Sequence, residues 1–176
     1  MATIKWAIDP THSEIGFKVK HMMFTNVSGK FLTFDATIET ENESFENAKI
    51  NFTGAVASVN TSNADRDKHL QSADFFDAEQ FPEIAFQATS FTQKSGSDYE
   101  LVGDLSLHGV TKPITLAADF GGIMQDPWGN TKVAFALEGK ISRKDWGLTW
   151  NSALETGGVL VSDEVRLAIE LQFVKQ

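Results

Sequence analysis

Hydrophobic and polar residues alternate with a period of two along most of the chain. Between residues 14 and 20, Ile15, Phe17 and Val19 are separated by Gly or Lys. Because successive side chains of a β-strand point to opposite faces, this pattern predicts strands with one apolar face each. The alternation recurs often enough for about eight strands, with further segments at 32–38, 50–56, 84–86, 99–107, 114–120, 133–141 and 165–173.

Turn-forming residues punctuate these segments, at 94–97, 121–122 and 128–130. Eight amphipathic antiparallel strands can close into a barrel or stack as two sheets. The segments 13–23 and 30–41 would each extend ~35 Å, and long strands with short connections favour a barrel. We therefore predict one all-β domain over residues 1–176, an eight-stranded antiparallel up-and-down barrel with one or two short helices. A sandwich remains the alternative.

Small residues interrupt the apolar faces of the predicted strands, at Gly54, Ala88, Gly103, Ala118 and Gly139. An eight-stranded barrel is either filled by its own side chains or leaves room for one small ligand. Small residues among Phe and Leu favour a narrow tunnel, although glycine in a strand equally marks a bulge or a bend.

Composition narrows the classes of partner. The chain has 14 Phe and 4 Trp but a single Tyr, so the interior should be apolar with few polar groups. The net charge of −9, without a Lys/Arg stripe, argues against nucleic acid and disfavours peripheral attachment to anionic membranes. No apolar run reaches the ~20 residues of a membrane helix, so no stable membrane insertion is expected.

The expected cellular location rests on the N-terminal sequence, since the absence of cysteine does not fix the compartment. Without cysteine the chain has no disulfides and no thiolate metal ligands. The first residues lack the basic and apolar regions of a signal peptide. The sequence as it stands predicts a cytoplasmic protein, and a periplasmic one if a leader has been removed.

The most charged stretch, residues 65–79, reads DRDKHLQSADFFDAE. Ser62 and Asp65 have the spacing of a capping box, which predicts a short helix from near Asn63 to near Ser72. We expect its charged side chains, including His69, to face solvent. A calcium loop does not fit the spacing, and one His with two carboxylates is a poor zinc site, so no metal is predicted. The apolar residues that follow predict a lid over the barrel: Leu70, Phe75, Phe76 and Phe81.

Two other polar clusters have structural as well as functional interpretations. Asp9, His12 and His21 have the residue types for acid–base chemistry, but His21 continues an apolar strand face and His12 lies in a turn. Arg143 and Trp146 follow a strand and could hold a polar head group at the barrel rim, or an Arg–Asp pair could tie down a loop. Sequence motifs of the common hydrolases and nucleotide-binding enzymes are absent, and no catalytic residue is predicted.

Four blocks of the chain read, in order, WAIDPTHSEIGFKVKH with SGKF, DRDKHLQSADFFDAEQFPEIAF, GDLSLHGVTKPITL and SRKDWGLTWN. These blocks resemble the YceI-like family of bacterial polyisoprenoid-binding proteins. Together they span nearly the whole chain. The family pattern usually has Phe where this chain has Trp146. The resemblance implies a lipocalin-like barrel with a long isoprenoid chain threaded through its apolar bore and the head group near one end.

This resemblance leads to the hypothesis of a non-enzymatic carrier of a polyisoprenoid or similar long-chain lipid, without a cofactor. Two alternatives stay open: an isoprenoid-modifying barrel enzyme, and a solid barrel whose acidic hairpin at Glu39–Glu46 docks a protein. Formation of a homodimer is also left open. The predicted contacts combine the inward strand faces with rim and lid positions: Phe17, Val19, His21, Phe34, Phe52, Phe75, Phe76, Phe86, Leu101, Leu105, Phe135, Leu137, Arg143, Trp146 and Leu167.

Overall fold

The structure is a computed structural model that describes residues 3–22, 24–151 and 160–176. Within these ranges there is one α-helix, α1 (Ala64–Gln71). No described helix has the length and apolar character to cross a bilayer. The strands are β1 (Ile4–Ile8), β2 (Glu14–His21), β3 (Thr25–Phe31), β4 (Phe34–Thr40), β5 (Lys49–Ala55), β6 (Val59–Asn60), β7 (Glu83–Ser95), β8 (Asp98–Leu107), β9 (Val110–Gln125), β10 (Thr131–Ser142) and β11 (Glu164–Lys175).

The strands close into an antiparallel barrel. From β4 the order runs through β5, β7, β8, β9 and β10 to β11, and β1 joins β11 back to β4. The last strand also pairs with β2, which forms a hairpin with β3. At three of the eight positions around the barrel, two short strands follow one another along the same line. These end-to-end, or tandem, pairs are β1 and β2, β3 and β4, and β5 and β6. The predicted eight-stranded barrel is confirmed, and the sandwich alternative is wrong.

Short breaks divide the tandem strands. The predicted strand 13–23 corresponds to β2, and residue 23 lies outside the described residues. The predicted strand 30–41 is divided at Leu32 and Thr33 into the end of β3 and all of β4. The inward positions change from odd to even residue numbers at this break, since Phe31 is buried before it, Ala36 is buried after it and Leu32 is 55% exposed. The expectation of one continuous apolar face over 32–38 is therefore wrong at Leu32.

The Asp9 carboxylate stabilises the short connection between β1 and β2. Its carboxylate accepts hydrogen bonds from the backbone N–H of Thr11 at 3.2 Å, from His12 Nδ1 at 2.7 Å and from Lys132 Nζ at 3.1 Å. Partial burial alone would raise the pKa of Asp9, but the hydrogen bonds from Thr11, His12 and Lys132 outweigh burial and hold the pKa well below its ordinary value. The Asp9–His12 pair is therefore explained as a structural clamp on the barrel wall.

Two of the three predicted turns lie between strands: residues 94–97 join β7 to β8, and residues 128–130 lie between β9 and β10. A further turn joins β8 to β9. His108 and Gly109 join β8 to β9 with φ of 53° and 74°, the left-handed pair expected of a type I′ turn. The predicted turn at Gly121–Gly122 is wrong, because β9 continues through both glycines and forms a bulge against Ala134. The actual turn follows at 126–130, where two backbone N–H groups donate to Asp126 Oδ1 at 2.9 Å.

One end of the barrel is packed with aromatic rings. Phe45, in the loop between β4 and β5, is only 2% exposed. Its ring centroid lies 5.3 Å from that of Trp6, 5.6 Å from that of Phe120 and 5.3 Å from that of Phe135. This loop belongs to the acidic hairpin that one sequence-based alternative assigned to protein docking, and it supplies the side chain that closes the barrel at this end.

Candidate functional site

The other half of the barrel is hollow. A cavity of about 580 Å³ opens between the β2–β3 hairpin, α1 and the segment that follows β10. Its wall is formed mainly by Ile, Leu, Val and Phe from the inward strand faces. The side chains behind its inner end include Phe173, which is 1% exposed. The sequence suggested a tunnel, but the Phe45 cluster closes one end, so the bore is a blind cavity.

Glycines in the wall keep the cavity open. A Cβ at Gly29 would collide with the ring of Phe17, and one at Gly103 would collide with the ring of Phe86. Phe52 covers Gly54 in the same manner, at 3.2 Å from an ideal Cβ. The rings of Phe17 and Phe86 lie over a glycine of the neighbouring strand, and the ring of Phe52 lies along its own strand, β5. A larger residue at each glycine would force the ring inward. Small residues thus do leave interior space, as predicted, by accommodating rings along the wall.

Most of the residues predicted as ligand contacts lie on the cavity wall, although their binding role stays a prediction. The strands contribute nine, and the segments around α1 and after β10 contribute the other four. The thirteen on the wall are Phe17, Val19, His21, Phe52, Phe75, Phe76, Phe86, Leu101, Leu105, Leu137, Arg143, Trp146 and Leu167.

Phe34 and Phe135 do not line the cavity, so their predicted placement is wrong. Phe135 is buried in the closed half, with its centroid 5.7 Å from Phe91 and 5.5 Å from Phe120. Phe34 stacks on Phe52 at 6.4 Å, and Phe52 occupies the wall position. Both residues face inward as alternation requires. Alternation predicts which side chains of a strand face inward. It does not predict whether such a side chain lies among the packed rings or beside the cavity.

The predicted helix forms within its predicted bounds at the mouth of the cavity, but the capping box at Ser62 and Asp65 does not form. Asn63 is its N-cap, with Oδ1 accepting from Arg66 N–H at 3.0 Å, and Ser72 is its C-cap. Leu70, Phe75 and Phe76 then line the cavity, in agreement with the predicted lid position. Phe81 does not line it.

His69 is also on the cavity wall, so the expectation that it faces only solvent is wrong. Its ring centroid lies 5.0 Å from Phe75 and 4.7 Å from Trp150, with both pairs edge to face. Its Nε2 is 2.8 Å from Asp74 Oδ2. Among the described residues, its Nδ1 has no hydrogen-bond partner. The turns after α1 bring His69, Phe75 and Trp150 together, which helical spacing alone could not show.

Arg143 ties the mouth loops together. Nε donates to the carbonyl of Ser162 at 2.9 Å, and Nη1 donates to Leu148 at 2.7 Å and Trp150 at 2.9 Å. Nη2 adds a longer bond to Val161 at 3.3 Å. With its donors used on backbone carbonyls, Arg143 acts as a buried structural cross-link. The loop-tying alternative therefore describes its contacts better than a head-group site does.

The charge partner of Arg143 is Asp163, with Nη2 and Oδ1 at 3.7 Å. Burial lowers the pKa of the Arg143 guanidinium, while Asp163 favours its charged form. Arg143 is 4% exposed, so little of it can reach a solvated head group.

Trp146 is fixed in the wall beside this cross-link. Its indole N–H donates to the carbonyl of Leu105 at 2.9 Å, and it is 2% exposed. Its own carbonyl lies 2.9 Å from His108 Nδ1, which joins the wall to the β8–β9 turn. Trp146 presents an apolar ring to the cavity with its polar atom already bonded.

Polar groups from β2 and α1 reach the cavity near its mouth. His21 ends β2, is half-buried and has no side-chain hydrogen bond within the described ranges. Asp65 and Arg66 of α1 also line the cavity, and Arg66 donates from Nε to Thr61 Oγ1 at 2.8 Å. The helix residues were missed by sequence reasoning because their charge favoured a solvated face. In the described part of the chain, no three His, Asp or Glu side chains are arranged as metal ligands.

Further apolar wall positions were absent from the predicted site. The clearest signal for them was the same alternation that identified the strands. They include Ile15, Ile50, Ile84, Leu116, Ile141, Ile169, Leu171 and Phe173.

Comparison with known proteins places this barrel in a family. The family described as YceI-like domain matches residues 6–173. The UPF0312 protein SA2479 of Staphylococcus aureus (strain N315) is 34% identical over 169 residues, 96% of each chain. The crystal structure of the Campylobacter jejuni YCEI protein is 35% identical, with a TM-score of 0.78 over 89% of this chain and 90% of that chain.

A more distant structure shows the same fold. A polyisoprenoid binding domain from Saccharophagus degradans has a TM-score of 0.71 at 15% identity and covers 97% of this chain and 98% of that one. At this identity the likeness establishes the architecture alone. The family match covers all four sequence blocks that suggested the resemblance, and the relatives at higher identity extend over almost their full length. The chain therefore belongs to the YceI-like family.

Proposed function

We propose that the protein binds and carries a polyisoprenoid or similar long-chain amphiphilic lipid. The observation that carries this proposal is the blind apolar cavity of about 580 Å³, which lies within the range of about 300–1,000 Å³ typical of ligand pockets. Burial of an apolar chain against this wall gives about 25 cal/mol per Å² of area removed from water. The polyisoprenoid binding domain of Saccharophagus degradans supports this class of ligand.

The polar groups near the mouth support an amphiphilic ligand over a plain hydrocarbon. The half-buried imidazole of His21 and Nδ1 of His69 can hydrogen-bond a head group, whereas the inner wall offers Phe and Leu. A lipid would therefore enter with its chain toward Phe173 and leave its head group near these histidines.

The direct test is native mass spectrometry and solvent extraction of the protein purified from cells without detergent. We expect one long-chain lipid per barrel, and isoprenoid and fatty-acyl chains are distinguished by fragmentation. A lipid-free protein that also fails to bind added geranylgeraniol or oleate would contradict the proposal.

A matched pair of substitutions on β11 locates the binding site. Ile169 lines the cavity, and its neighbour Glu170 is exposed on the outer face. We expect Ile169→Trp to fill the cavity and reduce lipid recovery at least about tenfold, since several buried CH₂ contacts at ~0.8 kcal/mol each are lost. Glu170→Trp should retain the lipid. Equal retention by two folded variants would show that the lipid is bound elsewhere.

A further inference from the structure

The β2–β3 hairpin exposes large apolar side chains beside the cavity mouth. Phe24 is 88% exposed and Met22 is 52% exposed at the hairpin tip. The inward faces of the same two strands contribute Val19, His21 and Val27 to the cavity wall. Exposed apolar side chains next to a ligand entrance are typical of a surface that meets another apolar phase. The same hairpin thus carries cavity-lining side chains on its inward face and exposed apolar side chains at its tip.

We propose that this hairpin tip docks the protein on a lipid bilayer, so that the cavity mouth opens toward the membrane surface. The inference rests on the proposed function, because a long-chain lipid must otherwise cross water between bilayer and cavity. Insertion of Phe24 and Met22 among the outer acyl carbons would remove both side chains from water. It would also place the polar mouth residues at the depth of the lipid head groups.

The charges around the tip fit shallow docking. Lys18 and Lys20 lie on the same hairpin, and among the described residues neither has an ion-pair partner. Lysine can lay its methylene chain along apolar surface while its ammonium group contacts a lipid phosphate. Asp65 at the mouth and the net charge of −9 limit attraction to anionic lipid. Apolar insertion therefore provides the larger contribution, and the two lysines orient the tip.

The opposite end of the barrel provides a matched comparison. The β9–β10 hairpin exposes Met124 by 71% and Trp128 by 83%, so exposure alone does not distinguish the two tips. This hairpin lies at the closed end, where Phe45 blocks the interior, and the loop carrying Phe45 also has Glu41 and Glu43. A lipid that enters at this end would meet packed rings and carboxylates. The mouth hairpin is therefore the tip that serves lipid exchange.

The experiment is vesicle flotation with Met22→Ser/Phe24→Ser and with the control Met124→Ser/Trp128→Ser. Vesicles contain phosphatidylethanolamine and phosphatidylglycerol, and folding is checked by circular dichroism. We expect the mouth variant to lose vesicle affinity about tenfold or more, as burial of one large apolar side chain implies. The vesicle affinity of the control should stay within about twofold of that of the unmodified protein, because its substituted side chains remain in water in both states.

Lipid handling separates the two proposals. The mouth variant should retain geranylgeraniol delivered in ethanol, but extract it from vesicles more slowly by a similar factor. Docking is overturned if the unmodified protein does not float, if the mouth variant floats equally well, or if only the control variant loses binding. A tip that instead mediates dimerisation, detected by analytical ultracentrifugation without flotation, also overturns it. Failure of the unmodified protein to bind any lipid would overturn the proposed function itself.

Discussion

Single glycines determine how much of the barrel interior is left for a ligand. The ring of Phe17 covers Gly29, and the three nearest atoms to a Cβ at Gly29 all belong to that ring. A methyl group there would first meet a movable side chain. The position therefore controls cavity volume with little direct effect on the strands.

Gly29→Ala is expected to displace the Phe17 ring into the cavity. Overpacking of this kind typically costs ~1–3 kcal/mol, and the smaller cavity should weaken lipid binding severalfold. Thermal unfolding and titration with geranylgeraniol measure the two effects. The double variant Gly29→Ala/Phe17→Leu should recover most of the binding because Leu leaves room for the methyl group. A single variant that binds as tightly as the unmodified protein would exclude this role for Gly29.

At the scale of elements, the barrel depends on how its tandem strands are joined. The clamp at Asp9 connects the β1–β2 break to Lys132 on β10. We expect Asp9→Asn to lower the free energy of unfolding at pH 7 by about 2 kcal/mol, the magnitude of hydrogen bonds to a charged group. The exposed Asp104 provides a control, since Asp104→Asn should change stability by less than about 0.5 kcal/mol.

The Asp9 contribution has a defined pH dependence. Folding lowers the pKa of Asp9, so its stabilisation is complete above the unfolded value of about 3.9 and is lost as pH falls through the folded value. Urea unfolding at pH 7 and pH 3 should therefore show a smaller difference between the unmodified protein and Asp9→Asn at pH 3. A difference that grows on acidification would refute the clamp.

The segment from α1 to β7 places two kinds of aromatic residue close together in sequence. Phe75 and Phe76 line the cavity, whereas Phe81 covers Gly109 and contacts His108. We expect Phe75→Ala/Phe76→Ala to reduce lipid retention at least about fivefold, while Phe81→Ala lowers stability by ~2–4 kcal/mol and leaves retention nearly unchanged. Lipid extraction and thermal unfolding distinguish these outcomes.

His69 extends this prediction. Because its ring packs against Phe75 and Trp150, we expect His69→Ala to reduce lipid retention as well, in contrast to the expectation from sequence. Retention equal to that of the unmodified protein would restore the purely solvated interpretation of α1.

At the scale of the whole molecule, the sequence predicted the barrel because strand alternation is a local property. It also predicted α1, whose cap lies within the segment itself. It could not separate the packed half from the hollow half. Phe135 and Leu137 are two residues apart on one inward face, yet Phe135 packs among closed-end rings and Leu137 lines the cavity.

The reason is that the boundary between the halves is set by a side chain from outside the strands. Phe45 stands alone in an acidic loop, and its sequence context gives no periodic signal. The polar mouth depends equally on tertiary contacts, since α1 lines the cavity only after the chain has turned back over the barrel. Local patterns therefore predicted the faces of the strands, but the depth of each residue required the folded loops.

The closed end has a consequence for how the family can diversify. The rings around Phe45 form an apolar core that consists only of the protein's own side chains. Under the proposed function, residues at the mouth can change with the ligand while these packed rings stay intact. One barrel architecture can in this way acquire new ligand preferences through substitutions that scarcely alter its packed end.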